Sequence, residues 1–232
     1  MIDWHSHILP DMDDGSRDTA ESIALLEMLN EQGAETVVAT PHFYANDESV
    51  DEFLKRREKS YKSLSEKLTE NMPEILLGAE VRYYPGISKL TDLQRLGIEN
   101  TDLLMLEMPT GKWTEYVLRE LTELSSTSGV KIVLAHIERY LKQQPADTWN
   151  RLYESGILMQ VNASFFIGLA TKRKALKLLE KGGIHFIGSD CHNIKSRPPK
   201  TGKAFEIIQK KFGEDFISQM KEYGYSVLSK NN

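Results

Sequence analysis

The chain has 232 residues, 40% hydrophobic and 27% charged, with a formal net charge of -5 and 1 cysteine. No apolar run reaches the roughly 20 residues that span a bilayer, and Met1-Ile2-Asp3-Trp4-His5 lacks the basic and apolar segments of a signal peptide, so direct membrane insertion is not expected. The acidic balance argues against nucleic acid as a partner, and a single thiol with no internal disulfide partner agrees with the cytoplasm.

Seven short β-branched or Leu-rich runs read as strands: 2–4, 36–40, 75–80, 103–107, 132–136, 157–162 and 184–190. Helical patterns lie between most of them. The first carries Ile23, Leu26 and Leu29 at helical spacing; Asp18 and Glu21 resemble a capping box at its start, and Gly33 stops it. The next lies near 50–70, with Leu54, Tyr61, Leu64 and Leu68 on one face, and others fall near 114–127, 145–155, 171–181 and 200–211. Lys172, Arg173, Lys174, Lys177 and Lys181 read as a solvated helix face. No Pro/Gly/Ser-rich linker breaks the rhythm, so residues 1–232 are expected to form a single domain.

Strands alternating with helices pair in parallel, because each helix returns the chain to the same end of the sheet. Seven such units predict an α/β fold, a closed or nearly closed barrel. An open doubly wound sheet is the alternative, but its Gly-rich loop after the first strand is replaced here by His-Ser-His.

The strand ends carry metal-type side chains. His5 and His7 flank Ser6 in an extended segment, so both imidazoles project to one side and reach one ion while Ser6 points away; Asp190-x-His192 repeats the pattern. His42 follows Thr-Pro, and His136 ends Val-Leu-Ala-His. Glu80 and Glu107 each close an apolar run, where a carboxylate is costly to bury unless a cation compensates it; Arg82 and Lys112 are within reach as ordinary partners. Asp11-Met-Asp13-Asp14-Gly15 does not match an EF-hand loop, and one of its aspartates is expected to be an outer ligand with the others solvent-facing turn residues. His185 lies inside the last expected strand and reads as a packed or hydrogen-bonded imidazole away from the site. Histidine and carboxylate donors suit Mn, Zn or Fe without choosing between them.

These motifs together resemble the polymerase and histidinol phosphatase superfamily: Ile-Asp-Trp-His-Ser-His with Asp-Asp-Gly after it, Ala-Thr-Pro-His, Gly-Ala-Glu-Val-Arg, Leu-Glu-Met-Pro, Ala-His-Ile-Glu-Arg-Tyr and Gly-Ser-Asp-Cys-His-Asn. Within it, the chain is most similar to the bacterial capsule and exopolysaccharide protein-tyrosine phosphatases. The resemblance implies a distorted (β/α)7 TIM-like barrel, three divalent metal ions with manganese the usual activator, and as substrate the phosphotyrosine tail of a membrane-associated tyrosine kinase controlling polysaccharide synthesis. It also implies that His5, His7, Glu80 and Asp190 hold one ion, with Glu80 bridging to a second held by Glu107 and His136. Asp14, His42 and His192 would hold the third, and Arg139 and Arg197 would bind substrate phosphate. Ile137 stands where the family often has proline, a difference in the loop bearing Arg139.

Two alternatives share this superfamily: a phosphoesterase acting on a small ester such as histidinol phosphate, and a non-catalytic, metal-bound regulator of a kinase. A third chemistry arises from spacing alone, since Cys191 and Arg197 match the Cys-x5-Arg pattern of cysteine-dependent phosphatases. That loop needs glycines to turn backbone N–H groups onto phosphate before a helix, whereas here none lies between the two residues and Pro198-Pro199 follow.

Overall fold

The computed structural model describes residues 1–90, 92–127 and 129–229. Its strands are β1 (Ile2–Ser6), β2 (Thr36–Ala39), β3 (His42–Phe43), β4 (Glu74–Leu77), β5 (Glu80–Arg82), β6 (Leu103–Glu107), β7 (Lys131–Leu134), β8 (Leu158–Asn162) and β9 (Phe186–Gly188). The helices are α1 (Thr19–Glu31), α2 (Val50–Ser65), α3 (Glu115–Thr127), α4 (Ala146–Glu154), α5 (Ser164–Ile167), α6 (Lys172–Glu180), α7 (Thr201–Phe212) and α8 (Glu214–Leu228).

All strand pairs are parallel, in the orders β1-β2-β4 and β3-β5-β6-β7-β8-β9. Among the described residues, nine strands replace the expected seven because two runs are kinked. Runs 36–40 and 75–80 each bend and resume two residues on, and the ladder survives the bend through Gly78 N to Ala39 O (2.8 Å) and Glu80 N to Pro41 O (3.0 Å). Arg57 of α2 donates to Gly78 O at 2.7 Å, satisfying the carbonyl that the bend frees. The two sheets also meet across β1 and the segment after β9, where His7 N donates to Cys191 O (2.9 Å) and Asp190 N to His5 O (2.8 Å). The parallel sheet thus curls into a distorted barrel.

Alternation along the strands separates two apolar layers. Val37, Ala39, Leu104, Leu106, Ile132 and Leu134 join Leu25, Leu26, Leu29 and Phe53 of the helices in the larger core, facing outward. Their neighbours Val38, Leu103, Met105 and Val133 join Ile2, Trp4, Leu76 and Phe186 in a second cluster inside the curl. Val227 of α8 belongs to this inner cluster. Tyr225 donates to Glu35 just before β2, so α8 covers the N-terminal ends of the strands, opposite the histidines.

Several sequence boundaries change. Glu80 opens β5 rather than ending the preceding strand, His136 lies beyond β7, and the last strand contracts to three residues with His185 just before it. Asp18 accepts from Glu21 N at 2.9 Å, but Glu21 turns to Arg17 instead of completing a capping box. The complete box is at Ser49 and Glu52, opening α2. α5 and α8 have no counterpart among the expected helices.

Candidate metal centre

The centre sits at the carboxyl ends of the strands, where consecutive parallel units deliver side chains from distant sequence to one mouth. β1 supplies His5, and just after the strand comes His7, whose Nε2 lies 3.2 Å from that of His5, while Ser6 turns aside to donate to Val38 O. Two glycines make this packing possible. A Cβ on Gly188 would lie 2.5 Å from His5 Cβ and 2.8 Å from His5 N, so only glycine lets β9 approach β1 this closely. A Cβ on Gly15 would lie 2.4 Å from His7 O, and without one the 10–16 loop folds back over His7 through Ser16 N to His7 O (3.0 Å).

Glu80 is the hub. Its Oε2 lies 3.4 Å from His5 Nε2, 3.3 Å from His7 Nε2 and 3.1 Å from His42 Nδ1, and its Oε1 lies 2.7 Å from His136 Nε2. Asp190 Oδ1 approaches His5 Nε2 at 3.4 Å and His7 Nε2 at 3.5 Å. Asp14, mostly exposed, stands 3.5 Å from His42 and 3.3 Å from His192. Glu107 lies 3.7 Å from His136 and also accepts from Arg82, the ordinary pairing the sequence allowed.

All nine side chains of the expected ligand set therefore share one site. Ligand atoms within 4.8 Å of one another define four groups: His7, Asp14, His42 and His192; His5, His7 and Asp190; His5, Glu80 and His136; His42, Glu80 and Glu107. His5, His7, His42 and Glu80 each belong to two, which draws the groups into one continuous cluster.

Charge balance shows what such a cluster demands. Burial disfavours charge on every one of these imidazoles, and for His42, His136 and His192 it prevails, with His192 lowered to about 4. Burial also opposes charge on His5 and His7, but carboxylates outweigh it: Glu80 and Asp190 raise His5 to about 9, and Asp13 and Glu80 raise His7 to about 10. Glu80 and Asp190 are themselves held well below the carboxylate range despite burial, by the neighbouring imidazoles. The buried carboxylates require positive charge beside them. Meanwhile His42 Nδ1 and His192 Nε2 are buried without a hydrogen-bond partner among the described residues, the former near Glu80 but not aligned with it. Unpartnered imidazole nitrogens beside buried carboxylates fit a set of divalent ions.

Two residues of the cluster have strained backbones. His136 adopts φ 35° and Asp190 φ 52°, left-handed conformations that cost of order 1–3 kcal/mol for residues other than glycine. Both are pinned: Gln160 Oε1 accepts from His136 N at 2.6 Å, and Asn162 Nδ2 donates to Asp190 Oδ2 at 2.7 Å.

Asp13 corrects the sequence reading. Expected as a solvent-facing turn residue, it has a buried carboxylate, accepting from His7 Nδ1 (2.7 Å), His42 N (2.8 Å) and Gly15 N (2.9 Å). By fixing the His7 tautomer it frees Nε2 to face Glu80 and Asp190. Asp-Asp-Gly gave no sign of which aspartate turns inward. Asn162 was more legible, since it ends β8 as Glu107 ends β6.

Arg139 and Arg197 both converge on Asp190, donating to Oδ2 at 2.6 Å and Oδ1 at 2.9 Å. They line a cavity of about 490 Å3 together with Tyr44, Arg82, Ser164 and Lys200, and the metal-type cluster forms its floor. Cys191 is fully buried, its thiol pKa pushed up by burial, and is not part of the cavity wall. The Cys-x5-Arg reading fails on that geometry. His185 is half-buried, its Nδ1 accepting from Met159 N at 3.0 Å away from the site.

Residues 1–224 match the family model described as Capsular polysaccharide synthesis, CpsB/CapC. The tyrosine-protein phosphatase YwqE of Bacillus subtilis is 32% identical over 229 residues, covering 96% of this chain and 89% of that protein. The tyrosine-protein phosphatase CpsB of Streptococcus pneumoniae is also 32% identical, covering 92% and 91%. A crystal structure from work on YwqE and CpsB, described as unique metal-dependent tyrosine phosphatases, superposes with a TM-score of 0.78 at 28% identity, covering 100% of this chain and 96% of that one. The chain belongs to the CpsB/CapC capsular polysaccharide synthesis family.

Proposed function

We propose that this protein is a metal-dependent protein-tyrosine phosphatase that hydrolyses phosphotyrosine on the tail of a membrane-associated tyrosine kinase controlling capsular or exopolysaccharide synthesis. The observation that carries the proposal is the convergence of five histidines and four carboxylates beneath a cavity whose walls carry Arg139 and Arg197. The relatives named above are tyrosine-protein phosphatases, which supports the activity part of the reading. The proposed partner places the reaction in the cytoplasm.

His5, His7, Glu80 and Asp190 would hold one divalent ion, Glu80, Glu107 and His136 a second, and Asp14, His42 and His192 a third, with Mn the expected metal and Zn or Fe as alternatives. When bound, such ions lower the pKa of water and neutralise phosphoryl oxygens. The chain's own residues do the rest. Arg139 and Arg197 offer planar N–H forks suited to phosphoryl oxygens, and their present partner, Asp190, holds both guanidinium groups at the cavity floor. Asp13 orients His7, Gln160 fixes the His136 loop, and Asn162 aligns Asp190. A phenolate leaving group, with pKa about 10, requires less protonation than an alkoxide.

The test is turnover of a phosphotyrosine peptide by purified protein loaded with Mn, Zn or Fe, with and without chelator, beside histidinol phosphate and a nucleotide. Metal-dependent release of phosphate from the peptide is expected. Full activity in exhaustively metal-free protein would defeat the metal centre, preference for a small ester would defeat the substrate assignment, and no turnover with metal bound would leave a docking regulator.

A further inference from the structure

The cavity above the cluster is polar almost throughout. Its lining side chains are imidazoles, carboxylates, guanidinium groups, an amine, an amide and hydroxyls, with two exceptions, Tyr44 and Pro198. Tyr44 comes immediately after β3 and Pro198 in the loop after β9. The 36–43 segment and the loop after β9 both hydrogen-bond to β1, on its two sides, so the two apolar faces flank the part of the mouth where His5 and His7 sit. The Tyr44 ring is tilted 31° against the His42 imidazole at 5.4 Å between centroids, which fixes its position at the rim. It is nonetheless 39% exposed, and its hydroxyl makes no protein hydrogen bond among the described residues. An aromatic ring held over a polar, anion-accepting cavity, packed on one side against His42 and partly exposed, is shaped to receive another apolar ring.

We infer that Tyr44 is a specificity-determining residue that stacks on the phenyl ring of the phosphotyrosine side chain, with Pro198 as the second apolar surface, and that this contact sets a preference for aryl over alkyl phosphate esters. The inference rests on the phosphatase reading above. The phosphoryl group is recognised by charge, which every phosphate ester shares, so discrimination by ester type needs a contact with the part that differs. An alkyl ester of serine or threonine is too short and too small to cover the Tyr44 face, whereas a phenyl ring supplies an offset-stacked partner.

The experiment compares Mn-loaded wild type, Tyr44→Ala and Tyr44→Phe on a phosphotyrosine peptide, a phosphoserine peptide of the same sequence, and inorganic phosphate as a competitive inhibitor. Metal content and circular dichroism establish that each variant is folded and loaded. Tyr44→Ala is expected to raise KM for the phosphotyrosine peptide by about 3- to 10-fold, the worth of one aromatic pair. It should lower the phosphotyrosine-to-phosphoserine ratio of kcat/KM by the same factor and leave the inhibition constant of inorganic phosphate within about twofold. Tyr44→Phe keeps the ring and should restore the wild-type KM. Equal losses on both peptides, or an unchanged KM in Tyr44→Ala, would overturn the stacking role. A fall in kcat in Tyr44→Phe at constant KM would also overturn it, by assigning the hydroxyl rather than the ring. Failure of the underlying phosphatase reading is separable, because it appears in the wild type as absent phosphotyrosine turnover.

Discussion

His7 is held from two directions, by Asp13 at Nδ1 and by the carboxylates that Nε2 faces, and a ligand imidazole gains both orientation and basicity from such an outer partner. Asp13→Asn keeps the shape but removes the charge that selects the His7 tautomer. It is expected to weaken Mn binding by about 10- to 100-fold, measured by calorimetric titration, with folding intact; unchanged affinity would reduce Asp13 to a turn residue. Glu80 approaches four imidazoles, so Glu80→Gln misplaces the whole cluster, and kcat on a phosphotyrosine peptide should fall by at least about a hundredfold. Cys191→Ser and His185→Gln lie outside the cavity wall and should each retain most activity. A thousandfold loss in folded, metal-loaded Cys191→Ser would instead indicate a thiolate nucleophile, because a serine hydroxyl does not replace one. At this scale the sequence showed which donor types are present, because histidine and carboxylate at strand ends have few other uses. It did not separate Asp13 from Asp14, since adjacent residues in a turn differ only in which way the folded loop presents them.

At the scale of elements, the contact between β1 and β9 rests on an absent side chain. Gly188→Ala places a methyl group against both the backbone and Cβ of His5, and forcing them apart costs about 1–3 kcal/mol as overpacking does elsewhere. The expected result is a lower denaturation midpoint together with reduced metal content, because His5 moves with its strand. Normal metal content in a destabilised Gly188→Ala protein would show that the site tolerates the shift. The Ser49 box at α2 makes the opposite control. Ser49→Ala should cost about 1 kcal/mol of stability and leave kcat and KM as they were, since the box lies outside the cavity wall. Helix positions were largely readable from periodicity and caps, as for α1 and α2. The bends at 40–41 and 78–79 were not, because each half-strand satisfies the same apolar pattern and only pairing with the neighbouring segment reveals the break.

For the whole molecule, the barrel has a working end and a structural end. α8 seals the structural end, with Val227 in the inner cluster and Gly224 so close to Ile2 and Trp4 that an added Cβ would lie 3.0 Å from Ile2 Cδ1. Val227→Ala should therefore lower stability by about 1–2 kcal/mol, read by chemical denaturation, while metal affinity and turnover of folded protein stay near wild type. Loss of metal binding without loss of stability would mean that the two ends are coupled through the strands. None of the expected helices included α8, whose Phe216, Ile217 and Met220 pack against the larger core while Val227 joins the inner cluster, a division that exists only once the strands have curled.

The sequence by itself determined the chemistry and its order along the chain: strand after strand ending in or followed by His, Asp, Glu or Asn, a parallel α/β architecture, and a set of motifs sufficient to identify the superfamily. Those features are local, fixed by residue type and by periods of two and 3.6 residues. The tertiary structure decided which groups share space. It made Glu80 the hub, turned Asp13 inward and Cys191 away, locked both arginines onto Asp190, and left Tyr44 facing the cavity. Those outcomes depend on strand curvature, on two glycines that permit close backbone approach and on left-handed turns at His136 and Asp190, each enforced by contacts between residues far apart in the chain.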